Sequence, residues 1–202
     1  MGTARSTSGG RVSAPGRPRR EETDHDIREA ALVLLRQGGP AAVTVEAVAT
    51  ESGVAKTTIY RRYADREAVL RAALKAAIGS PGEPPGSSPR EKIRWALDQM
   101  WHQMAEVLGA GGVAAILANT DPRFTDLFRS VLDPYSAALI DLIRTDIAAG
   151  KLRADLDPDT TVTLLMGAYL GELLRKGKVD EEFTDRCTDL MWVAMAARRR
   201  KA

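Results

Sequence analysis

Apolar residues recur at helical spacing along most of the chain, and no alternating strand pattern appears anywhere in its 202 residues. One example is the stripe formed by Ile27, Ala30, Ala31, Leu34 and Leu35. Residues three and four apart lie on one face of a helix, so an apolar stripe of this kind can pack against neighbouring helices. The sequence therefore predicts an all-α fold of about nine helices.

Side chains that cap helix N-termini mark where several of these helices begin. We expect caps at Thr23 or Asp24, at Thr44, at Asp65, and at the Asp-Pro pairs that start with Asp121 and Asp157. Residues 109–112, which include three glycines, should break the helix before them. Because proline lacks the N–H that a helix needs, we also expect a kink or break at Asp133-Pro134.

Composition divides the chain into four parts. Residues 1–20 contain five Arg and no acid among Gly, Ser and Pro, which predicts a disordered basic arm. Residues 79–89 contain four Pro and three Gly, which predicts a linker. The linker would separate a helical domain at 21–78 from a second at 90–202. Residues 1–78 carry 13 Lys and Arg against 9 Asp and Glu, a balance that suits a nucleic-acid-binding head.

Several classes of protein do not fit the chain. The single cysteine, Cys187, excludes an intramolecular disulfide and suits a reducing compartment. No signal peptide and no apolar run of about 20 residues is present, so we expect a soluble cytoplasmic protein with no membrane partner. With two His and no metal-ligand spacing, phosphate loop or nucleophile motif, we expect no metal, no cofactor and no enzyme activity.

Residues 44–63 have the pattern of two short helices around a tight turn. Val45 to Ser52 would form the first helix, Gly53 the turn, and a second short helix would run from Ala55 or Lys56 to near Tyr63. Ile59 and Tyr63 are four residues apart and share one face, which would pack inward. The opposite face would then present Lys56, Thr57, Thr58 and Arg61.

That outward face carries the chemistry of a helix that reads DNA. Lys and Arg can donate to guanine O6 and N7, and a Thr methyl can touch the thymine methyl. We expect Tyr60, Arg62 and Arg66 to lie along the phosphates, and Thr44 to bind phosphate beside the free N–H groups of its helix. The alternative is a basic surface that is merely solvated, as in a helical interaction module without sequence-specific DNA binding.

Residues 44–74, TVEAVATESGVAKTTIYRRYADREAVLRAAL, resemble the N-terminal DNA-binding domain of TetR-family regulators. The residues at the positions of the family's pattern are Thr44, Gly53-Val54, Thr58-Ile59-Tyr60, Tyr63 and Asp65-Arg66-Glu67. The resemblance covers residues 24–78, and a weaker one extends over 150–158. Ala55 departs from the family's usual small polar residue. Arg61 and Arg62 depart from its frequent aromatic or His, so a base preference does not carry over.

The resemblance implies a homodimer that binds palindromic double-stranded DNA, more often as a repressor than as an activator, and that a small-molecule effector releases. The last two helices usually form the dimer interface in this family, and the residues here that suit one are Leu164, Gly167, Gly171 and Leu174. Packing within one subunit is the alternative for these four. In the arm, Arg17 and Arg19 suit minor-groove insertion, with a nonspecific basic tail as the alternative.

The resemblance also implies a small-molecule pocket among the C-terminal helices. Large aromatic and Met side chains suit an adaptable apolar cavity. The candidates are Trp95, Trp101, Met104, Phe124, Phe128, Met166 and Tyr169. For each of them, ordinary packing in the hydrophobic core is the alternative.

Overall fold

The structure, a computed structural model, describes residues 17–80, 82–86, 88–180 and 182–197, with side chains from Arg20 onward. Over these ranges the chain forms nine α-helices, and its only β-type pairing there is an isolated bridge between Leu152 and Ala196. The helices are α1 (Arg17–Gly38), α2 (Val45–Ser52), α3 (Lys56–Tyr60), α4 (Arg66–Ile78), α5 (Pro89–His102), α6 (Gly109–Ala118), α7 (Pro122–Ala148), α8 (Pro158–Lys176) and α9 (Phe183–Met195). The predicted all-α fold is confirmed.

Side-chain caps begin four helices where the sequence predicts them. An oxygen of Thr44, Asp65, Asp121 or Asp157 accepts a hydrogen bond of 2.7–3.1 Å from the backbone N–H three residues further on. Each cap satisfies an N–H group that has no partner inside the helix, and its loss typically costs about 1 kcal/mol. The predicted starts of α2, α4, α7 and α8 are therefore confirmed.

The first helix begins earlier than the sequence suggests, at Arg17 rather than at Thr23 or Asp24. An Arg62 guanidinium nitrogen (Nη1) donates to the Arg20 carbonyl at 3.4 Å and to Asp24 Oδ1 at 2.7 Å. These contacts tie the early turns of α1 to the chain after α3, so the last residues assigned to the arm are helical instead. Residues 1–16, the rest of the expected arm, lie outside the described residues.

Two other helix boundaries differ from expectation. α3 ends at Tyr60, short of Tyr63, and α7 continues through Pro134 without a break. Proline removes one hydrogen bond from α7, but the turns on either side are anchored by buried Val131 and Leu139. Burial of this kind outweighs a local preference, so the helix persists.

The helix break near residues 109–112 is shorter than expected. A π-helical segment, Gln103–Leu108, joins α5 to α6. Among residues 109–112, only Gly109 has a positive φ (60°). Gly111 packs against the backbone of α1, where an added Cβ would lie 2.5 Å from the Gly39 nitrogen. These glycines therefore permit close approach of α6 to α1, and α6 begins at Gly109 rather than near Val113.

Buried side chains form two hydrophobic clusters. The first cluster joins α1–α4 to Val107, Leu108, Val113 and the first half of α7, and thus crosses the boundary expected at 79–89. The second cluster lies among α5, the second half of α7, α8 and α9. Both clusters contain residues of α7. A movement of α7 would therefore change its packing against the N-terminal helices.

Within the described ranges, no helix has the length and apolar character needed to cross a membrane.

Candidate nucleic-acid interface and ligand cavity

The turn between α2 and α3 is built from local hydrogen bonds. Gly53 adopts φ 68°, a left-handed conformation that glycine tolerates without strain. Ser52 Oγ donates to the Val48 carbonyl at 2.6 Å and accepts from Val54 N–H at 3.2 Å. Together with the fully buried Ile59, these contacts fix α3 against α2. The predicted two-helix unit is confirmed.

The outer face of α3 is open to solvent. Lys56, Thr57 and Arg61 are exposed, Tyr60 is 54% exposed, and Thr58 is half-buried. Thr44, at the start of α2, is exposed as well. An exposed Tyr between two cations offers a hydroxyl donor and a ring beside the charges that phosphates attract. The face has the chemistry that the sequence predicts.

Lys56 is held by a neighbour on α2. Its Nζ lies 3.1 Å from Glu46 Oε1, and both side chains are more than half exposed. Backbone hydrogen bonding at Glu46, followed by the hydrogen bond from Lys56, lowers the pKa of the Glu46 carboxyl. An exposed pair of this kind contributes little to stability, so Lys56 can exchange it for a phosphate or a base edge at little cost.

Arg62 and Arg66 each pair with an acidic residue of the chain, and their expected place along the phosphates stays a prediction. Arg62 lies 2.7 Å from Asp24 of α1, and its side chain is 20% exposed. Arg66 lies 2.6 Å from Asp121, the cap of α7. Both guanidinium groups therefore join helices, whereas the Arg61 side chain next to α3 is exposed.

The backbone of Arg17 and Arg19 lies in the first turn of α1, but their side chains are outside the described residues. Their predicted contact with the minor groove stays a prediction.

A cavity of about 250 Å³ lies between the π-helical segment and helices α5, α6, α7 and α8. Four of the seven predicted pocket residues line it: Trp95, Met104, Phe128 and Met166. None of the described residues that line it carries a charge. The cavity is therefore suited to apolar, uncharged molecules.

The other three predicted pocket residues, Trp101, Phe124 and Tyr169, do not line this cavity and are buried in the hydrophobic core, although Trp101 and Tyr169 also border a second, more open depression. Trp101 stacks on Phe183, with ring centroids 5.0 Å apart, and its centroid lies 6.1 Å from that of Tyr169. Phe124 is buried beside Phe128. Helical spacing alone does not distinguish these inward-facing rings from those that border a cavity.

The sequence did not single out Gln103, which also lines the cavity. Gln103 is 4% exposed, and its Oε1 has no hydrogen-bond partner among the described residues. Buried polar atoms without a partner are rare in folded proteins. Its place in the π-helical segment explains why a regular helical pattern did not reveal it.

Exposed apolar side chains lie on both α8 and α9. Leu164 and Leu174 of α8 are 59% and 81% exposed, and Leu190 and Val193 of α9 are 74% and 82% exposed. A Cβ added at Gly167 or Gly171 of α8 would meet no atom within 4 Å. The four residues predicted for a dimer interface thus face outward, and the two on α9 extend the same apolar character. We call these six residues the α8–α9 face.

Several polar contacts join the N-terminal helices to the helices around the cavity. Besides the Arg66–Asp121 pair, Arg36 Nη1 donates to the Glu106 carbonyl at 2.8 Å, and the Tyr135 hydroxyl donates to the Ile78 carbonyl. The hydrogen bond from Arg66 is the main cause that lowers the pKa of the Asp121 carboxyl. These contacts give α7 and the π-helical segment a direct mechanical link to α1 and α4.

Two family models match the chain. Residues 27–73 match the model described as "Bacterial regulatory proteins, tetR family". Residues 83–191 match the model described as "Tetracyclin repressor-like, C-terminal domain", and this second match alone covers more than half of the chain.

The chain is also similar to individual regulators. The chain is 28% identical over 175 residues to an uncharacterized HTH-type transcriptional regulator, YdeS, of Bacillus subtilis (strain 168), covering 82% of this chain and 85% of YdeS. Its fold is similar to that of a TetR-family transcriptional regulator from Rhodococcus sp., with a TM-score of 0.68, 24% identity, and coverage of 87% and 100% of the two chains. It is also similar to the regulator FadR from Bacillus subtilis in complex with stearoyl-CoA, with a TM-score of 0.63, 15% identity, and coverage of 83% and 96%.

Proposed function

This chain belongs to the TetR family of bacterial transcriptional regulators, and we propose that it is a repressor whose homodimer binds a palindromic operator in the cytoplasm and leaves it when a small molecule enters the cavity. In this proposal residues 21–78 bind DNA, and residues 90–202 bind the ligand and the second subunit. The observation that carries it is the exposed face of α3, with Lys56, Tyr60 and Arg61 outward above the buried Ile59.

The α8–α9 face supports the proposed dimer. Four large aliphatic side chains, each more than half exposed, lie on two helices next to glycines that leave room for another helix. An apolar face of this kind is stabilised by burial against a matching surface, and a two-fold axis supplies one. Such a dimer would present two α3 helices, which must lie about 34–36 Å apart to enter successive major grooves.

The position of the cavity supports the proposed release by a ligand. α7 and the π-helical segment line it, and both also contact the N-terminal helices through Asp121 and the Glu106 carbonyl. A ligand that fits best when α7 has moved favours a conformer in which the two α3 helices no longer match the grooves. DNA binding and ligand binding then oppose each other by the same coupling free energy.

Selection of duplexes from a random library by the purified protein tests this proposal. A dimeric regulator should enrich one sequence with two-fold symmetry. A helical interaction module without sequence specificity would retain duplexes only weakly, in a salt-sensitive manner, and would enrich none. That result would overturn the proposal.

The ion pair between Arg66 and Asp121 should contribute measurably to the contact between the N-terminal helices and α7. In a double-mutant cycle with Arg66→Met and Asp121→Asn, we expect a coupling on the order of 1 kcal/mol in the free energy of unfolding, because both groups are only partly screened by solvent. Asn keeps the helix cap, so the cycle isolates the charge pairing.

The Glu67–Arg71 pair within α4 is a suitable control for this cycle. Its atoms lie 2.8 Å apart, and both side chains are more than 40% exposed. A similar cycle there should give roughly 0.3–0.5 kcal/mol, the usual value for exposed pairs in helices. Equal couplings at the two sites would show that the Arg66–Asp121 pair has no special structural role.

The arm should add affinity through its positive charge. With Arg17 and Arg19 both replaced by alanine, we expect the slope of log K against log salt for the selected duplex to become shallower by roughly 1–2, the value for one or two lost phosphate contacts. Arg129→Ala, on the exposed surface of α7, is the control for loss of charge. An unchanged slope in the double variant would remove these two arginines from the DNA interface.

A further inference from the structure

Gln103 defines the polar chemistry of the cavity. Its side chain is more than nine-tenths buried, lines the cavity, and has an amide oxygen with no hydrogen-bond partner among the described residues. Leaving a buried carbonyl unpaired costs stability, and a donor placed next to it restores that stability. Since π-helical turns inside longer helices occur frequently at functional sites, its position in Gln103–Leu108 points in the same direction.

The remaining lining restricts the charge of the occupant. Trp95, Met104, Phe128 and Met166 are apolar or aromatic, and no charged side chain is among the described lining residues. A carboxylate, a phosphate or an ammonium group buried there would lose its hydration and find no counter-ion. The part of the occupant that lies beside Gln103 must therefore be uncharged.

The size of the cavity restricts the occupant further. Its volume of about 250 Å³ is below the roughly 300–1,000 Å³ usual for drug-sized ligands. FadR, the similar structure that binds stearoyl-CoA, holds a much larger and negatively charged molecule. The ligand of this chain has to be compact.

We infer that the cavity takes a compact, uncharged and mostly apolar molecule with one hydrogen-bond donor, such as an alcohol, directed at the Gln103 amide. The inference rests on the proposed function only in taking this cavity as the effector site. Three other polar residues line the cavity, and all three are half-buried: Gln99, Tyr135 and Ser136. The Tyr135 hydroxyl already donates to the Ile78 carbonyl, and none of the three is left with an unpaired buried atom, which makes Gln103 the group that selects the donor.

Calorimetric titration of the full chain with four probes of one chain length tests this inference. The probes are decanol, decan-2-one, decanoate and decylamine, which are a neutral donor, a neutral acceptor, an anion and a cation. We expect decanol to bind at least about five-fold more tightly than decan-2-one, the effect of one net hydrogen bond. Decanoate and decylamine should bind more weakly than decanol.

Gln103→Leu keeps the approximate volume of the side chain and removes its amide. This variant should bind decanol and decan-2-one with about equal affinity. Its affinity for decan-2-one should stay close to that of the wild type. The melting temperature of the ligand-free protein should rise, because an unpaired polar group has been removed. Gln99→Leu, which changes the same chemistry at a half-buried position, should retain the preference.

Each other outcome overturns the inference. Equal binding of decanol and decan-2-one removes the role of Gln103, and tighter binding of either ion removes the neutral class. No binding by any probe removes the cavity as a site for such molecules. Binding of the ligand-free protein to its selected duplex is measured in parallel, and failure there would contradict the proposed function without affecting the ligand result.

Discussion

Tyr60→Ala and Lys56→Ala are each expected to weaken binding to the selected duplex by about 1–3 kcal/mol, a loss of roughly 5- to 150-fold in affinity. Tyr60 is 54% exposed, so it contributes its ring and hydroxyl to a partner rather than to the core. Removal of Lys56 takes a cation from the interface and also leaves Glu46 without its ion-pair partner at the DNA. The free energy of unfolding and the dimer should remain unchanged in both variants.

Titration of labelled duplex at fixed salt, with sedimentation of the same samples, measures these effects. Lys178→Ala is the matched control, because it removes the same exposed side chain from the segment between α8 and α9. Its operator affinity should equal that of the wild type. Wild-type affinity in both Tyr60→Ala and Lys56→Ala would show that α3 is not the element that binds DNA.

The second large effect is expected from charges placed on the α8–α9 face. Leu174→Glu together with Val193→Glu should raise the dimer dissociation constant by at least about 100-fold, because carboxylates buried in an apolar interface have no partner. These side chains are 81% and 82% exposed in the single chain, so its own stability should hardly change. Operator affinity should fall strongly, since a monomer engages only one half-site.

Sedimentation at micromolar protein concentration decides whether the dimer is lost. Leu117→Glu is the control, as Leu117 is 61% exposed on α6 and lies outside the α8–α9 face. That variant should remain a dimer with normal operator affinity, although it borders the ligand cavity. A wild-type protein that sediments as a monomer, or a double variant that stays dimeric, would contradict the proposed interface.

The sequence predicted those features that depend on neighbouring residues. The caps at Thr44, Asp65, Asp121 and Asp157 were predictable because a side-chain oxygen reaches an N–H only three residues away. The left-handed turn at Gly53 follows from the absence of a side chain. Such local chemistry is enough to establish the helix-turn-helix and its outward face.

Features that depend on distant residues were not predictable in the same way. The partners of Arg62 and Arg66 are 38 and 55 residues away along the chain, so nothing in their own helices reveals the ion pairs. The exposure of Leu190 and Val193 depends on how α9 packs against α5. Gln103 reaches the cavity through a π-helical segment, where the regular helical period does not apply.

Methylation interference on the selected duplex tests most directly whether α3 enters the major groove. Methyl groups on guanine N7 occupy the major groove, where Lys and Arg donate their hydrogen bonds. We predict that methylation at symmetric guanines in both half-sites blocks the wild type, and that Arg61→Ala loses interference at one guanine of each half-site. Binding that tolerates N7 methylation throughout, or an interference pattern unchanged by Arg61→Ala, would contradict a DNA-reading role for this helix.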